Sequence, residues 1–386
     1  MSQTKAQLVS GTTAQDLTVD NINTTSINSG QASGRKNLII NGAMQVAQRG
    51  TSSTTNGYGN VDRFYAYANN TGVTTTFAQV DIASGNAYDA GFRKALKISL
   101  SGAGTANSNG EIEIFQKIEA QDIANSGWNY KSSSSKITLS FWVKSSTAQT
   151  FPVHLRTEGG SSYGYGFTYT VTQPNVWQKI SHSIAGNSNL AINNDNATGF
   201  RVYAGMPFQG SGFDGGSSDT WVTYSGSTRV PPVPDTWLTA GASTFEITGV
   251  QLEVGSVATD FEHRSFAQEL ALCQRYYQVL ATGNQAAIGN GFAFQTNRFQ
   301  TNAHLTVEMR TTPTLDEQMT GATKYRINMG NADQNTGISP SLASVVSSTR
   351  IVNLGWSSLG SNVTNGDGGQ VRKQGDSGIL GVSAEL

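Results

Sequence analysis

The chain has one cysteine, Cys273, among 386 residues. A disulfide within the chain and a cysteine-built zinc site are therefore both excluded, and stability must come from packing or association. Charge is scarce too. Only 13% of residues are ionised, the formal net charge is -1, and no run of lysine or arginine occurs, so the electrostatic footprint of a nucleic-acid partner is missing. No stretch approaches the roughly 18 consecutive apolar residues of a membrane span. The opening MSQTKAQLVS lacks the apolar centre of a secretory signal. The expectation is synthesis in the cytoplasm without a signal peptide, no membrane insertion, and release by a route such as lysis if the protein works outside a cell.

Catalytic signatures are also sparse. The four histidines, His154, His182, His263 and His304, are dispersed and form no HExxH pair. A GxSxG elbow, a P-loop and a dinucleotide fingerprint are all lacking. Two carboxylate pairs remain, Glu111 with Glu113 and Asp260 with Glu262. Two-residue spacing places each pair on one face of a strand, the arrangement of a solvated sheet edge, and does not set the separation that glycoside hydrolysis needs. The chain is expected not to be an enzyme.

What is abundant is glycine, 43 residues against 8 prolines, together with serine, threonine and asparagine. That composition suits many short strands joined by polar turns. Alternating segments recur at 73–80, 95–100, 111–118, 136–144, 151–157, 165–171, 176–184, 200–204 and 244–253. The clearest carries Ile137, Leu139, Phe141 and Val143 on one face and Trp142 on the other. Leu38 to Ile40, then Met44 and Val46, read as a first strand broken by the Asn41-Gly42 turn signal, and Asp62 beside Arg63 as a structural ion pair. In 244–253 the alternation slips at Gly249-Val250, as in a bulge. After Gly255 the chain is expected to return to the same body through Val257, Phe261 and Phe266. Residues 267–279 suggest a short helix with Cys273 buried, and further alternation runs on to Leu386. NMGNADQNTGISPSLASVVSS is a long polar excursion.

The predicted fold class is therefore all-β: a jelly-roll β-sandwich, then a second, mostly β terminal domain, behind an extended N-terminal attachment segment. The boundaries are 1–36 for attachment or trimerisation, 37–267 for the sandwich and 268–386 for the terminal domain.

Several runs carry a family resemblance: NLIINGAMQVAQRG at 37–50, VDRFY at 61–65, LSFWVKSS at 139–146, WQKIS at 177–181 and FEITGVQLEVGSVATDFEHR at 245–264. Over about residues 37 to 267 the chain resembles the jelly-roll, carbohydrate-binding-like modules of bacteriophage tail fibres and other virion proteins. The resemblance implies a virion protein, located in a tail or fibre, that binds a host-surface glycan without catalysis. It also implies a homotrimer joined to other virion or tail proteins through 1–36. A structural adaptor or head-decoration protein and a polysaccharide depolymerase are the alternatives.

Saccharide recognition asks for aromatic faces with polar groups at their rim. Tyr163, Tyr165 and Tyr169 in GGSSYGYGFTYT answer that description, as do Trp221 and Tyr224 with Asp214 and Asp219 in the long, aromatic-rich segment between Ala204 and Ala242. No cofactor is expected. Some members of the group carry a structural calcium, and Asp214, Asp219 and Asp235 are the carboxylates available for one, without the loop spacing of a calcium motif.

Overall fold

The computed structural model describes residues 36–319, 324–329, 347–357, 359, 363–375 and 378–386, with the backbone of 26–27, 30–31 and 339–342. Most of the expected attachment segment, and much of the polar excursion at 328–348, lie outside the described residues. Strands β1 (Ser26–Ile27) and β2 (Gly30–Gln31) pair with each other.

Two six-stranded antiparallel sheets follow, which makes the chain an all-β sandwich, as its alternation predicts. The first sheet has the order β13-β10-β9-β12-β7-β4 and the second β11-β8-β14-β6-β5-β3. In chain order the strands are β3 (Ser52–Ser53), β4 (Tyr65–Asn69), β5 (Thr75–Asp81), β6 (Lys94–Leu100), β7 (Glu111–Glu119), β8 (Lys136–Ser145), β9 (Gln149–Thr157), β10 (Tyr163–Val171), β11 (Gln178–Ala185), β12 (Thr198–Gln209), β13 (Trp221–Thr223) and β14 (Thr244–Val254). Short helices α1 (Asn86–Asp89), α2 (Ala120–Ala124) and α3 (Thr236–Thr239) sit in the connections. Every second residue of the facing strands enters one core. Ile137, Leu139, Phe141 and Val143 of β8 meet Phe151, Val153 and Leu155 of β9 and Phe245, Ile247, Val250 and Leu252 of β14, all buried. Burial of this kind contributes about 25 cal/mol per Å² of apolar surface.

The slip in β14 is real. Its register on β8 shifts between Thr248 and Gln251, and Gly249 has φ 63. Into that shift fits the segment expected as a first strand. Residues 37–46 form no strand, because side chains rather than a ladder satisfy their backbone. Asn37 donates from Nδ2 to the Val250 carbonyl (3.0 Å), while its Oδ1 accepts from Ile39 and Leu252 N–H (2.9 and 3.0 Å). Gln116 bonds both backbone groups of Ile40, and Asn41, at φ 60, bonds Val46 and the Asp62 carbonyl through its side chain. A Cβ on Gly42 would lie 2.1 Å from the Val250 oxygen, so only glycine admits this approach.

The segment after Gly255 is pinned by Glu253, whose carboxylate accepts from Thr259 N–H and hydroxyl (2.9 and 2.6 Å), and by Gln251, which accepts from Glu262 N–H (2.8 Å). Phe261 packs edge-on against Phe92. Val257 and Phe266, expected against the same body, are instead 50% and 56% exposed, because polar side chains do the pinning and release the apolar ones.

Helix α4 (Phe266–Gln274) opens with a capping box from Ser265 and Gln268. Beyond it come β15 (Tyr277–Thr282), β16 (Ala287–Gln295), β17 (Arg298–His304), β18 (Thr314–Glu317), β19 (Tyr325–Met329), β20 (Ser339–Leu342), β21 (Ile351–Ser357), β22 (Gly368–Lys373) and β23 (Ile379–Ser383). They form a three-stranded sheet, β15-β23-β18, and a six-stranded sheet, β19-β22-β16-β17-β21-β20, with Phe299, Tyr325, Leu354, Trp356, Val371 and Leu380 buried in one core.

Cys273 is buried with Ile40, Val46 and Tyr276 where this part meets the sandwich. The expected Asp62–Arg63 pair does not form there. Asp62 accepts from Gln48 N–H and Nε2, while the buried Arg63 pairs with Glu385. Adjacent residues project in opposite directions, so neighbours in sequence need not be partners.

Candidate functional site

The strand register explains why the candidate aromatics have different fates. Tyr165 of β10 lies opposite Trp221 of β13, and both face inward, their rings 5.2 Å apart. Tyr169 is buried beside Phe141 and Phe151, and burial pushes its phenol well above the ordinary range. Tyr163 is half-buried against the same core. Trp221 donates from Nε1 to the Ala185 carbonyl (2.8 Å), tying the first sheet to the edge of the second. The rings of Tyr165, Tyr169 and Trp221 offer no open face. Asp219 instead pairs with His182 (3.0 Å), which stacks on Phe167 (3.9 Å between centroids, 10° between planes) and meets the Tyr165 hydroxyl (3.3 Å). Asp214 makes a backbone bridge with Thr228. Among the described residues no three His, Cys, Asp or Glu side chains gather as metal ligands.

Tyr224 differs. It lies past the end of β13, on the outer face of the first sheet, where the positions between the core residues form a layer of rings and charges. Gly164, Arg156, Arg201 and Lys117 stand in register across β10, β9, β12 and β7. The Arg156 guanidinium lies 3.8 Å from the Tyr224 ring centre. Glu158 bridges Arg156 (3.5 Å) and Arg201 (2.5 Å). Beneath and beside this line, Tyr65 stacks on Phe115 (4.9 Å, 18°), Phe115 meets Tyr203 (4.7 Å), and Tyr203 meets His154 (5.5 Å). Arg156, Glu158, Arg201 and Tyr224 are partly exposed. The long segment after β12 walls one end, and a Cβ on Gly166 would meet the Arg229 carbonyl at 3.0 Å. The face is thus a rigid floor of rings carrying planar donors and acceptors with set directions.

At that wall, Glu111 and Glu113 do share one side, as their spacing predicts, but they are not a solvated edge. Arg229 engages both, lies over Phe213 (4.4 Å) and donates to Gln209 (2.8 Å). Two carboxylates on one guanidinium do not flank a cleft for hydrolysis. Burial pushes the Glu113 carboxyl up to about 7, against the pull of Arg229. A carboxyl whose pKa is raised on folding favours the folded state below its unfolded value near 4.5, and that benefit is lost as pH climbs through about 7. Glu113→Gln is accordingly expected to be about 3 kcal/mol more stable than wild type at pH 8 and close to it near pH 4.5. Urea titrations at the two pH values measure this, and equal stability at pH 8 would refute it.

No protein-family model matches the chain, and no curated protein matches it. Similar solved structures include the enzymatically active domain of tailspike protein 4 from bacteriophage CBA120, at 11% identity and TM-score 0.30, covering 56% of this chain and 21% of that one. Others are the N-terminal cellulose-binding domain of Cellulomonas fimi β-1,4-glucanase C (12%, TM-score 0.29, covering 55% of this chain and 100% of that one), and TmCBM61 in complex with β-1,4-galactotriose (8%, TM-score 0.23, 58% and 100%). The chain thus spans about a fifth of the length of the tailspike structure.

Sequence reasoning missed Arg156, Arg201 and Glu158. Their signal was present: His154 and Arg156 occupy the outward positions of an alternating strand, and a charge there marks the solvent face. What alternation does not reveal is which strands lie alongside.

Proposed function

We propose that the protein binds a saccharide, without catalysis, on the outer face of the first sheet. The observation that carries this reading is the line Arg156, Glu158 and Arg201 fixed over a floor of rings and flanked by Tyr224. Guanidinium and carboxylate groups held at set angles read vicinal hydroxyls, and a rigid sheet spares the ligand the cost of ordering them. Among the described residues no helix is long and apolar enough to cross a membrane.

The biological setting we propose is a virion appendage, a tail fibre in particular. It would act as a homotrimer that meets a host-surface glycan and joins other virion proteins through residues 1–36. The sequence motifs at 37–50 and 245–264 support this reading. Trimerisation would convert a shallow, weak site into avid attachment. An assembly module without glycan binding is the second reading, favoured by the burial of Tyr165, Tyr169 and Trp221.

Tyr224→Ala removes the ring beneath Arg156. Binding on a glycan array is expected to fall about tenfold, the scale of an interface anchor, with the melting temperature unchanged. Wild-type protein that binds no glycan, while the chain still joins virion components, would favour the assembly module.

A further inference from the structure

The outer face of the terminal six-stranded sheet carries a pattern that the sandwich site does not use. Gln370 of β22 pairs with Asn328 of β19 on one side and Asn290 of β16 on the other. Gly291 pairs with Thr301, which sets Asn290 level with Asn302 of β17, and Asn302 pairs with Asn353 of β21. Five carboxamides therefore stand in one row across five adjacent strands, on the face opposite the core residues Ile327, Val371 and Leu354. In the next row Phe292 is 52% exposed, with Gly368 opposite it on one strand and Gln300 on the other. Glycine beside the ring leaves that side of it uncovered.

The amides are oriented as well as aligned. Gln300 donates from Nε2 to Asn353 Oδ1 (2.5 Å), and Asn353 donates from Nδ2 to Asn302 Oδ1 (2.7 Å). This relay leaves the Asn302 NH2 as a donor at one end and the Gln300 carbonyl as an acceptor at the other, next to Phe292. Arg372 Nε donates to Gln370 Oε1 (2.6 Å), which turns the Gln370 NH2 outward. Asn328 Oδ1 is buried and, among the described residues, has no hydrogen-bond partner, an expensive state unless something supplies a donor.

We propose that this face is a second ligand site and that its ligand is an uncharged, linear saccharide lying across the strands. Hydrogen-bond chemistry selects that class. The row itself is built of carboxamides, and the cation bonded to it, Arg372, is taken up by Gln370 (2.6 Å), so what the row offers a ligand is neutral donors and acceptors, which sugar hydroxyls match equally. Strands stand about 4.8 Å apart, close to the length of one hexose unit, so successive amides meet successive sugars. The Phe292 ring offers its face to the apolar side of one of them. This site stands independently of the one on the sandwich.

Calorimetric titration of the full chain with neutral hexasaccharides of β-1,4-glucan, α-1,4-glucan and β-1,4-galactan, and with a polyuronate, tests the proposal. The comparison is among wild type, Phe292→Ala and the double variant Gln300→Ala with Asn302→Ala. Binding of at least one neutral hexasaccharide is expected to weaken about tenfold or more in Phe292→Ala and in the double variant. Melting temperatures should stay within a degree or two of wild type. The proposal is overturned if no neutral hexasaccharide binds, or if only the polyuronate does. It is also overturned if Phe292→Ala binds as wild type does, or if its one effect is a change in sedimenting mass, which would make the face a contact between copies.

Discussion

Glu385→Ala is expected to destabilise the protein by about 3–5 kcal/mol, the range for removing one partner of a buried ion pair. Arg63 is 1% exposed. Its guanidinium lies 3.4 Å from the Tyr276 ring centre, donates to the Lys117 carbonyl (2.7 Å) and pairs with Glu385. Glu385 also takes Arg49 (3.3 Å), which lies 3.5 Å from the centre of the Tyr277 ring. Without Glu385, the Arg63 guanidinium stays buried where the sandwich meets the terminal part with its counter-charge gone, while Arg49 keeps Asp316 (3.7 Å). The neighbouring Glu119, fully buried, takes Arg275 (2.7 and 2.8 Å) and the Tyr276 hydroxyl (2.5 Å). Urea unfolding, followed by tryptophan fluorescence, is expected to show a lower midpoint and to lose its single transition as the two parts uncouple. Replacing both partners, Arg63→Met with Glu385→Leu, is expected to recover most of the loss, because a buried pair is worth little more than apolar residues of its volume. Glu385→Ala within 1 kcal/mol of wild type would refute the argument.

The second large effect is acid sensitivity at His154. Its ring is buried on the outer face of the first sheet, between Tyr203 and Tyr224, where the Arg229 backbone offsets only part of the burial. Burial, aided by the positive field of Arg229 and Arg156, lowers its pKa to about 3. An unfolded histidine takes up a proton near pH 6.5, so between about 6.5 and 3 the unfolded chain holds the extra proton and stability falls as pH falls. In His154→Phe that slope disappears. Relative to their difference at pH 7.5, the variant is expected to gain about 2 kcal/mol on wild type at pH 5 and about 4 kcal/mol near pH 3.5. Any packing cost of the larger ring is the same at every pH and drops out of the comparison. Parallel stability–pH curves for the two proteins would refute it. The same measurement bears on function, because the ring that must stay neutral lies under the proposed saccharide face.

How much of this was legible beforehand differs from feature to feature. Alternation in β8 and β14 announced the sandwich, since period two is the direct consequence of pleating. The slip at Gly249 announced the bulge. Residues 37–46 misled, because LIIN reads as a strand while its backbone is claimed by Asn37, Gln116 and Asn41, and side chains that substitute for a ladder leave no periodic trace. At the site, Tyr165 and Tyr169 had a binding residue's composition, but they are in phase with Phe167, which faces the core. Tyr224 escapes because it follows the last paired residue of β13.

By itself the sequence determined the all-β class, the strand phases and the absence of a disulfide within the chain. Those follow from local periodicity and from residue types whose chemistry needs no partner. Only the tertiary structure decided that Arg156 lies level with Arg201, that Arg63 waits for Glu385, and that five carboxamides from five strands share one row. Strand order and register are set by contacts between residues far apart in the chain, and no window on the sequence contains both ends of such a contact.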